Sequence, residues 1–273
     1  MRFLLISSLA FVGLSLAAPP APPVVQPPKH SSSELIFGGH RAHQGQFPFF
    51  VYLHSCGGTL ITPRHILTAA HCIHSYVVGD NAVMGLDDNE NYFDAPGVQL
   101  RKIVSVVKHK DFGKVYGRDD IAILEVEEPF EMTPTVQLSS IKADDSELQK
   151  RYWSVAMGFG ISDIVNNTFI YPQHLQYAYL PLIDYDRCHN YWTKYLWEKH
   201  VCAGSETQGV GNGDSGGPLS ILDDGTYFQI GVASFKVTLP KGRNQAEYPA
   251  VFTRTASYCD WMNENTNGAF HCV

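Results

Sequence analysis

The chain has 273 residues, of which 44% are hydrophobic and 17% are charged, so it is long enough to bury a sizeable core. A peptide hormone or a small protein held together only by disulfides is therefore excluded. The 20 Lys and Arg residues against 27 Asp and Glu residues give a formal net charge of −7, which argues against a nucleic-acid-binding surface.

The amino terminus has the three parts of a secretory signal. A basic residue, Arg2, is followed by the apolar run 3–16 and then by Ala17 and Ala18. Cleavage after Ala17 is predicted, because a cut one residue later would leave a proline just beyond it. The apolar run is too short to span a bilayer, which takes about 20 residues, and the later sequence shows no membrane anchor. We therefore expect a signal peptide over 1–17, a secreted product that is extracellular or lumenal, and no membrane partner.

A proline-rich segment follows over 18–35. Proline lacks the backbone donor that helices and central strands require, so this segment is predicted to be extended and removable, and the cluster argues against the alternative of a buried amino-terminal helix. From Ile36 onward the sequence changes to short apolar or alternating runs separated by Gly, Pro and Asp turns. These runs predict an all-β sandwich or pair of barrels; examples lie at 49–53, 59–62, 98–107, 121–126, 227–234 and 250–254.

One helix is predicted near the end of the chain, over 256–265. Tyr258, Trp261 and Met262 recur there at helical spacing, and Gly268 follows.

Six cysteines in a secreted chain imply three disulfides. Counting alone allows fifteen connectivities, but the spacing groups the cysteines into three local pairs, each closing a loop of about 15 residues. No CxxC motif occurs, and His71 and His74 lack the HExxH arrangement, so no metal site is predicted. The expected pairs are Cys56 with Cys72, Cys188 with Cys202, and Cys259 with Cys272.

Three further segments carry residues suited to nucleophilic catalysis. GNGDSGGP (211–218) is a glycine-dense turn around Ser215, a pattern that by itself is also typical of a hairpin. LTAAHC (67–72) presents His71 beside a cysteine, and DDIAIL (119–124) puts a carboxylate at the start of an apolar strand. Acyl transfer by a serine needs such a hydroxyl, a base that titrates near neutrality and an orienting carboxylate.

With these motifs in this order, the sequence resembles the chymotrypsin-like (trypsin-type) serine peptidases. The resemblance implies two packed six-stranded antiparallel β-barrels, about 36–145 and 146–255, with a terminal helix and tail over 256–273 and the active site between the barrels. It rests on IFGG (36–39), GQFPFFVYL (45–53), CGGTLI (56–61), LTAAHC (67–72), DIAIL (120–124), GFG (158–160), VCAG (201–204), GDSGGP (213–218) and YPAVFTR (248–254).

The resemblance also implies the residue roles of a serine endopeptidase that needs no cofactor. His71 would be the general base and then the acid, Asp120 would orient His71, and Ser215 would be the nucleophile. The N–H groups of Gly213 and Ser215 would form the oxyanion hole. Asp119 is the rival carboxylate, and the family motif selects Asp120 because the catalytic Asp stands immediately before the Ile-Ala pair.

Family members are made as zymogens, which implies an activating protease as a partner. A new amino terminus at Ile36 would pair with Asp214, beside the nucleophile. The sequence departs from the family here, because Leu35 rather than Arg or Lys precedes Ile36 and the nearest upstream base is Lys29.

The specificity pocket departs from the trypsin pattern as well. Gly209 stands where an Asp would bind basic side chains, Ser234-Phe235-Lys236 replaces the usual Ser-Trp-Gly wall, and Ala250 replaces a frequent Gly. A preference for residues other than Arg or Lys is therefore expected. Two readings of Lys236 remain open: it points to solvent beside an apolar pocket, or it faces inward and favours acidic side chains.

Two disulfides usual in vertebrate members are missing: Ser154 and Ile221 replace one pair, and Gly211 replaces a Cys before the nucleophile loop. Asn166 begins a glycosylation sequon in a polar stretch. We expect a monomer that acts on protein or peptide substrates and is controlled by a protein inhibitor. A non-catalytic family member acting as a binding or regulatory module is the alternative, although such proteins usually lose a triad residue.

Overall fold

The computed structural model describes residues 38–73, 77–166, 168–238 and 244–273. The predicted signal peptide and proline-rich segment, and Ile36 with them, lie outside the described residues. The first described strand is β1, His40–Arg41.

The next six strands build the first barrel. They are β2 Phe50–Tyr52, β3 Gly57–Thr62, β4 His65–Thr68, β5 Asn81–Met84, β6 Gln99–Lys108 and β7 Ala122–Val126. The barrel closes in the order β2-β3-β4-β7-β6-β5, and every pairing is antiparallel. Apolar side chains fill its interior because alternate residues of each strand point inward. Val51, Leu60, Ile66 and Leu124 are all fully buried there.

A second antiparallel barrel follows along the chain. Its strands are β8 Trp153–Gly158, β11 Gln176–Ile183, β12 His200–Ala203, β13 Pro218–Asp223, β14 Thr226–Phe235 and β15 Ala250–Arg254. The order is β11-β12-β15-β14-β13-β8, and pairing of β8 with β11 closes the barrel. A separate hairpin pairs β9 Asp163–Val165 with β10 Thr168–Ile170. Although β1 precedes the first barrel in the chain, it pairs with β11 of the second.

The described helices are few and short. They are α1 Ser146–Gln149, α2 Tyr185–Trp192 and α3 Cys259–Asn265, with 3-10 turns at Ala70–Cys72, Thr193–Tyr195 and Thr255–Tyr258. The 3-10 turn Thr255–Tyr258 and α3 together confirm the predicted terminal helix, whose Tyr258 and Met262 are buried against apolar residues of the first barrel. Of the helices in the described ranges, none has the length and apolar character needed to cross a membrane.

Aromatic side chains fill the interface between the barrels. Phe47 and Phe50 of the first half pack in one buried cluster with Phe159 and Tyr177 of the second. The ring centroids of Phe50 and Phe159 are 6.0 Å apart, and those of Phe47 and Tyr177 are 5.3 Å apart. The two barrels with a terminal helix confirm the predicted fold class, and the cleft between them holds the candidate site.

The structure contains three disulfides, which are the three local pairs expected from the spacing. Cys56–Cys72 joins the residue before β3 to the 3-10 turn Ala70–Cys72, Cys188–Cys202 joins α2 to β12, and Cys259–Cys272 joins α3 to the tail.

Candidate active site

His71 is held at the cleft by two local constraints. It lies in the short 3-10 turn that follows β4, and the next residue, Cys72, is bonded to Cys56, the residue before β3. The His71 side chain is 34% exposed, so its ring reaches the cleft while its backbone is fixed. A base that must meet a substrate needs this combination of fixed backbone and open ring.

Asp120 lies directly against His71. The pairing of β4 with β7 sets Thr68 opposite Ala122, which brings the residues flanking the two strand ends together. Asp120 Oδ2 is 2.7 Å from His71 Nδ1, and Asp120 Oδ1 accepts the His71 backbone N–H at 2.9 Å. The carboxylate therefore fixes both the ring and its backbone, and it selects the tautomer that carries the proton on Nδ1.

The second barrel also contributes to holding Asp120. The hydroxyl of Ser234, near the end of β14, donates to Asp120 Oδ2 at 2.5 Å. The hydroxyl of Thr253 in β15 donates to the Asp120 carbonyl oxygen at 2.9 Å. The sequence places Ser234 in the pocket wall. In the structure it is also a hydrogen-bond donor to the carboxylate that contacts His71.

Asp119 faces away from His71. Its backbone has φ of +52°, a left-handed conformation that turns consecutive side chains apart. Its Oδ1 accepts the hydroxyl of Tyr258 at 3.0 Å and lies 3.6 Å from His109 Nδ1. Burial and the Asp119 charge raise the pKa of Tyr258. Asp119 thus binds the terminal helix, and Asp120 is the carboxylate within reach of His71.

The loop that carries Ser215 is fixed against both barrels. The Ser215 carbonyl oxygen accepts the N–H of Gly57 at 2.8 Å, and the N–H of Gly216 donates to Ala233 of β14 at 2.9 Å. Gly216 has φ of +75°, and a Cβ added there would lie 2.2 Å from Oγ1 of Thr68. Only glycine fits this close approach.

These contacts bring Ser215 to the wall that carries His71, three residues after Thr68. The structure records no hydrogen bond between the Ser215 hydroxyl and the His71 ring, both of which it describes; such bonds are often long in the absence of substrate. Gly213 has φ of +102°. In the described part of the chain, the N–H groups of Gly213 and Ser215 donate to no protein acceptor, so both are available to a ligand oxygen.

The side chain of Asp214, the residue before Ser215, is almost fully buried. It is 1% exposed and accepts the backbone N–H groups of Gly160 at 2.8 Å and Gly211 at 2.6 Å. Burial raises its pKa to about 6, against the lowering effect of those two N–H groups and of Lys236. Within the described ranges no cation lies within 4.0 Å of this carboxylate, and Ile36 lies outside them.

A narrow cleft of about 20 Å³ lies beside Ser215. Its lining comes from the loop of Ser215, from the end of β14 with the residue after it, and from β15; the residues are Val210, Gly211, Asp214, Ser215, Ala233, Ser234, Phe235, Lys236 and Val251. Ala250, which the sequence places here, is instead fully buried in the core of the second barrel, because strand alternation turns Val251 toward the cleft.

Gln245, which no motif of the sequence indicates, is bonded to Val210, one of the lining residues, whereas neither Gln245 nor the predicted Gly209 itself lines this cleft. Gln245 is 1% exposed; its Oε1 accepts the N–H of Val210 at 3.1 Å, and its Nε2 donates to the Val210 carbonyl at 2.8 Å. A Cβ added at Gly209 would lie 2.3 Å from this amide. A neutral amide therefore occupies the space beside Gly209. Its two hydrogen bonds also join the segments of Gln245 and Val210, next to Gly211, which stands where the family has a cysteine.

The remaining predicted positions are also located. Phe235 packs among aromatic rings, with centroids 4.9 Å from Trp192 and 5.7 Å from Tyr116. Asn166 is exposed in the turn between β9 and β10, although its neighbour 167 is outside the described residues.

Two groups of described residues bring possible metal-ligating atoms together. Cys56 and Cys72, beside His71, are joined in a disulfide, so their thiolates are unavailable. In the group of His109, Asp111 and Asp119, Asp111 pairs with Lys114 and Asp119 accepts from Tyr258. Neither of these two groups of described residues therefore offers a full set of free metal ligands.

His200 links the barrels behind Phe235. It is 5% exposed, and its Nε2 donates to the carbonyl of Gly117, which precedes the Asp119-Asp120 pair, at 2.9 Å. Burial lowers its pKa to about 4, so the folded protein holds it neutral. The unfolded chain takes up this proton near pH 6.5, so it binds more protons than the folded chain between pH 6.5 and 4.

We therefore expect His200 to reduce stability as the pH falls through that window, by about 3 kcal/mol in total. Asp214, with its raised pKa, acts in the opposite direction. Comparison with the His200→Gln variant cancels the contribution of Asp214 to the pH dependence, because Asp214 is present in both chains. Both chains carry Ser215→Ala, and their free energies of unfolding are measured by denaturant titration. The free energy of the chain with His200, relative to that of the His200→Gln chain, should increase from pH 4 to 6.5. A difference between the two chains that does not change with pH would contradict a buried, neutral His200.

Comparison with known proteins agrees with this geometry. The model of the Trypsin family matches residues 36–262. Chymotrypsin-C of Bos taurus is 32% identical over 264 residues, covering 92% of this chain and 95% of the relative. Chymotrypsin-C of Mus musculus is 33% identical over 248 residues, with 85% and 89% covered. Chymotrypsin-like elastase family member 1 of Rattus norvegicus is 32% identical over 280 residues, with 96% and 97% covered.

Proposed function

The chain belongs to the trypsin family and is a serine endopeptidase, a hydrolase of proteins, and from that premise we propose that it cleaves peptide bonds with Ser215 as nucleophile, His71 as base and Asp120 as orienting group. One observation carries the proposal. Asp120 holds both the ring and the backbone of His71, and the Ser215 carbonyl oxygen accepts the N–H of Gly57, next to the Cys56 that is bonded to the neighbour of His71.

The first half of the reaction forms an acyl-enzyme. Ser215 Oγ attacks the peptide carbonyl carbon while His71 Nε2 takes the hydroxyl proton. The negative charge moves to the carbonyl oxygen, which accepts the N–H groups of Gly213 and Ser215. His71 then gives its proton to the leaving amine, the C–N bond breaks, and Ser215 is left as an ester.

The second half returns the enzyme to its starting state. Water attacks the ester carbon while His71 takes a water proton, and collapse of the intermediate releases a carboxylic acid and the Ser215 hydroxyl. Asp120 orients the imidazole and stabilises the imidazolium that forms twice. The hydrogen bond from Ser234 holds Asp120 in position for this role.

We also propose that the protein is secreted and made as a zymogen. The signal-like sequence 1–17 and the three disulfides support secretion, and the buried Asp214 supports activation by a new amino terminus. A charged carboxylate in this position is costly without a cationic partner. The ammonium of Ile36, released by an activating protease, would supply one and order the loop around Ser215.

Activity is therefore expected only in a chain that begins at Ile36. An engineered activation site ending at residue 35 allows defined processing, and amino-terminal sequencing paired with a peptide-amide assay follows it. A matched processed chain with Asp214→Asn should stay nearly inactive, because the amide cannot pair with the ammonium. Full activity of a chain still beginning at Ala18 would contradict the zymogen proposal.

We propose a pocket that rejects Arg and Lys side chains. Gly209, which replaces the Asp that would bind basic side chains, and the Gln245 amide beside it carry no charge, and Lys236 on the cleft wall repels cations. A monomer and control by a protein inhibitor remain expectations. The alternative function, a non-catalytic binding module, is disfavoured by the contact of His71 with Asp120, and it predicts no hydrolysis by the processed chain.

A further inference from the structure

Lys236 crosses the entrance of the cleft beside Ser215. It follows β14 on the wall opposite the nucleophile loop, and its Nζ donates to Oδ1 of Asn212 on that loop at 2.8 Å. Lys236 and Ser215 line the same cleft. The ammonium therefore lies where the side chain of a bound substrate would enter.

This ammonium has a neutral partner only. Among the described residues it forms no ion pair within 4.0 Å, and the carboxylate whose charge reaches it, Asp214, already accepts two backbone N–H groups. Burial lowers the pKa of Lys236, which marks partial removal of the ammonium from water. A partly desolvated cation without an anionic partner gains from an incoming anion more than an exposed one does.

The depth of the cleft confines that anion to the entrance. The cleft offers about 20 Å³, which is room for about one water molecule, and the Gln245 amide fills the space beside Gly209. Val210, Ala233 and Val251 on its walls are uncharged, and the one carboxylate there, Asp214, is bound to the backbone N–H groups of Gly160 and Gly211 and leaves no room for a second anion deep in the cleft. A short acidic side chain would therefore keep its carboxylate near Lys236 rather than reach past it.

Building on the proposed peptidase function, we infer that Lys236 makes the enzyme selective for Asp or Glu immediately before the scissile bond. A carboxylate on the substrate side chain at this position takes the place of the Asn212 side chain and forms an ion pair with the Lys236 ammonium. A side-chain amide of the same shape gains no charge pairing, and a basic side chain meets a like charge.

The test compares peptide amides that differ only in Glu against Gln, and Asp against Asn, at this position. With the processed chain, kcat/KM should favour each acid over its amide by about tenfold or more. Lys236→Met keeps the length of the stem without its charge and should bring the ratio close to one. Lys236→Glu should favour Lys over Glu. Lys102→Met, an exposed lysine of β6, removes the same charge elsewhere and should leave the ratio unchanged.

The ratio of kcat/KM for acid over amide should also fall as the salt concentration is raised, because it depends on an ion pair. Equal rates for acid and amide, or an acidic preference that survives Lys236→Met, would overturn the inference while leaving the peptidase proposal intact. Absence of cleavage of every peptide in the set by the processed chain would overturn both. In each variant, the fraction of chains that a phosphonate labels at Ser215 gives the concentration of active sites, and the rates are divided by it.

Discussion

Replacement of Ser215 by alanine is expected to lower kcat by about 10⁶-fold, the scale seen when a member of such a triad is removed. The fold should not change, because Ser215 is held through its backbone carbonyl and Gly57, which the substitution leaves intact. The measurement is peptide-amide turnover by the processed variant, with its unfolding midpoint as the control. Turnover near that of the parent chain would make the assignment of the nucleophile wrong.

The double variant Ser215→Ala, His71→Ala should be no slower than either single variant. The hydroxyl and the ring act as one unit, so loss of either removes the same step. Effects that multiply instead would mean that the two residues act independently, contrary to the proposed mechanism.

Asp120→Asn is expected to lower kcat by about 10⁴-fold. The Asn amide can donate to His71 Nδ1 and thereby favours the tautomer with its proton on Nε2, which cannot accept the Ser215 proton. Since an unprotonated Nε2 is needed, the loss should appear in kcat more than in KM, with recovery of some activity at high pH, where hydroxide can act as the base.

Asp119→Asn is the matched control one residue away. Its amide oxygen can still accept the Tyr258 hydroxyl, and Asp119 does not contact His71. This variant should keep most of the activity. A large loss for Asp119→Asn together with little loss for Asp120→Asn would reverse the assignment of the orienting carboxylate.

Local patterns predicted much of the fold because they report local physics. The run 250–254 coincides with β15, and 121–126 and 227–234 match β7 and β14 to within one residue at each end. The terminal helix was visible from Tyr258 and Met262 at helical spacing. α2 was missed, although Asp184 accepts the N–H of Arg187 at 2.9 Å and is thus a capping residue that could have indicated its start.

Tertiary contacts explain what the sequence did not reveal at the site. Gln245 lies 35 residues from Val210 and belongs to no periodic run, so nothing in the sequence indicated that its amide bonds to that backbone. The contact of Lys236 with Asn212 also joins two loops and depends on how the barrel closes. The family motif selected Asp120 over Asp119, but nothing in the local sequence indicated the positive φ of Asp119 that turns the two side chains apart.

Covalent labelling tests directly whether Ser215 is an activated nucleophile beside His71, the central feature of the proposed mechanism. The processed chain is incubated with a fluorophosphonate, and the modified residue is identified by peptide mass spectrometry; His71→Ala and the uncut chain serve as controls. We expect one label per processed chain, on Ser215, and much slower labelling of the His71→Ala variant and of the uncut chain. No label on Ser215, or equal labelling of the processed chain and the His71→Ala variant, would contradict the proposed mechanism.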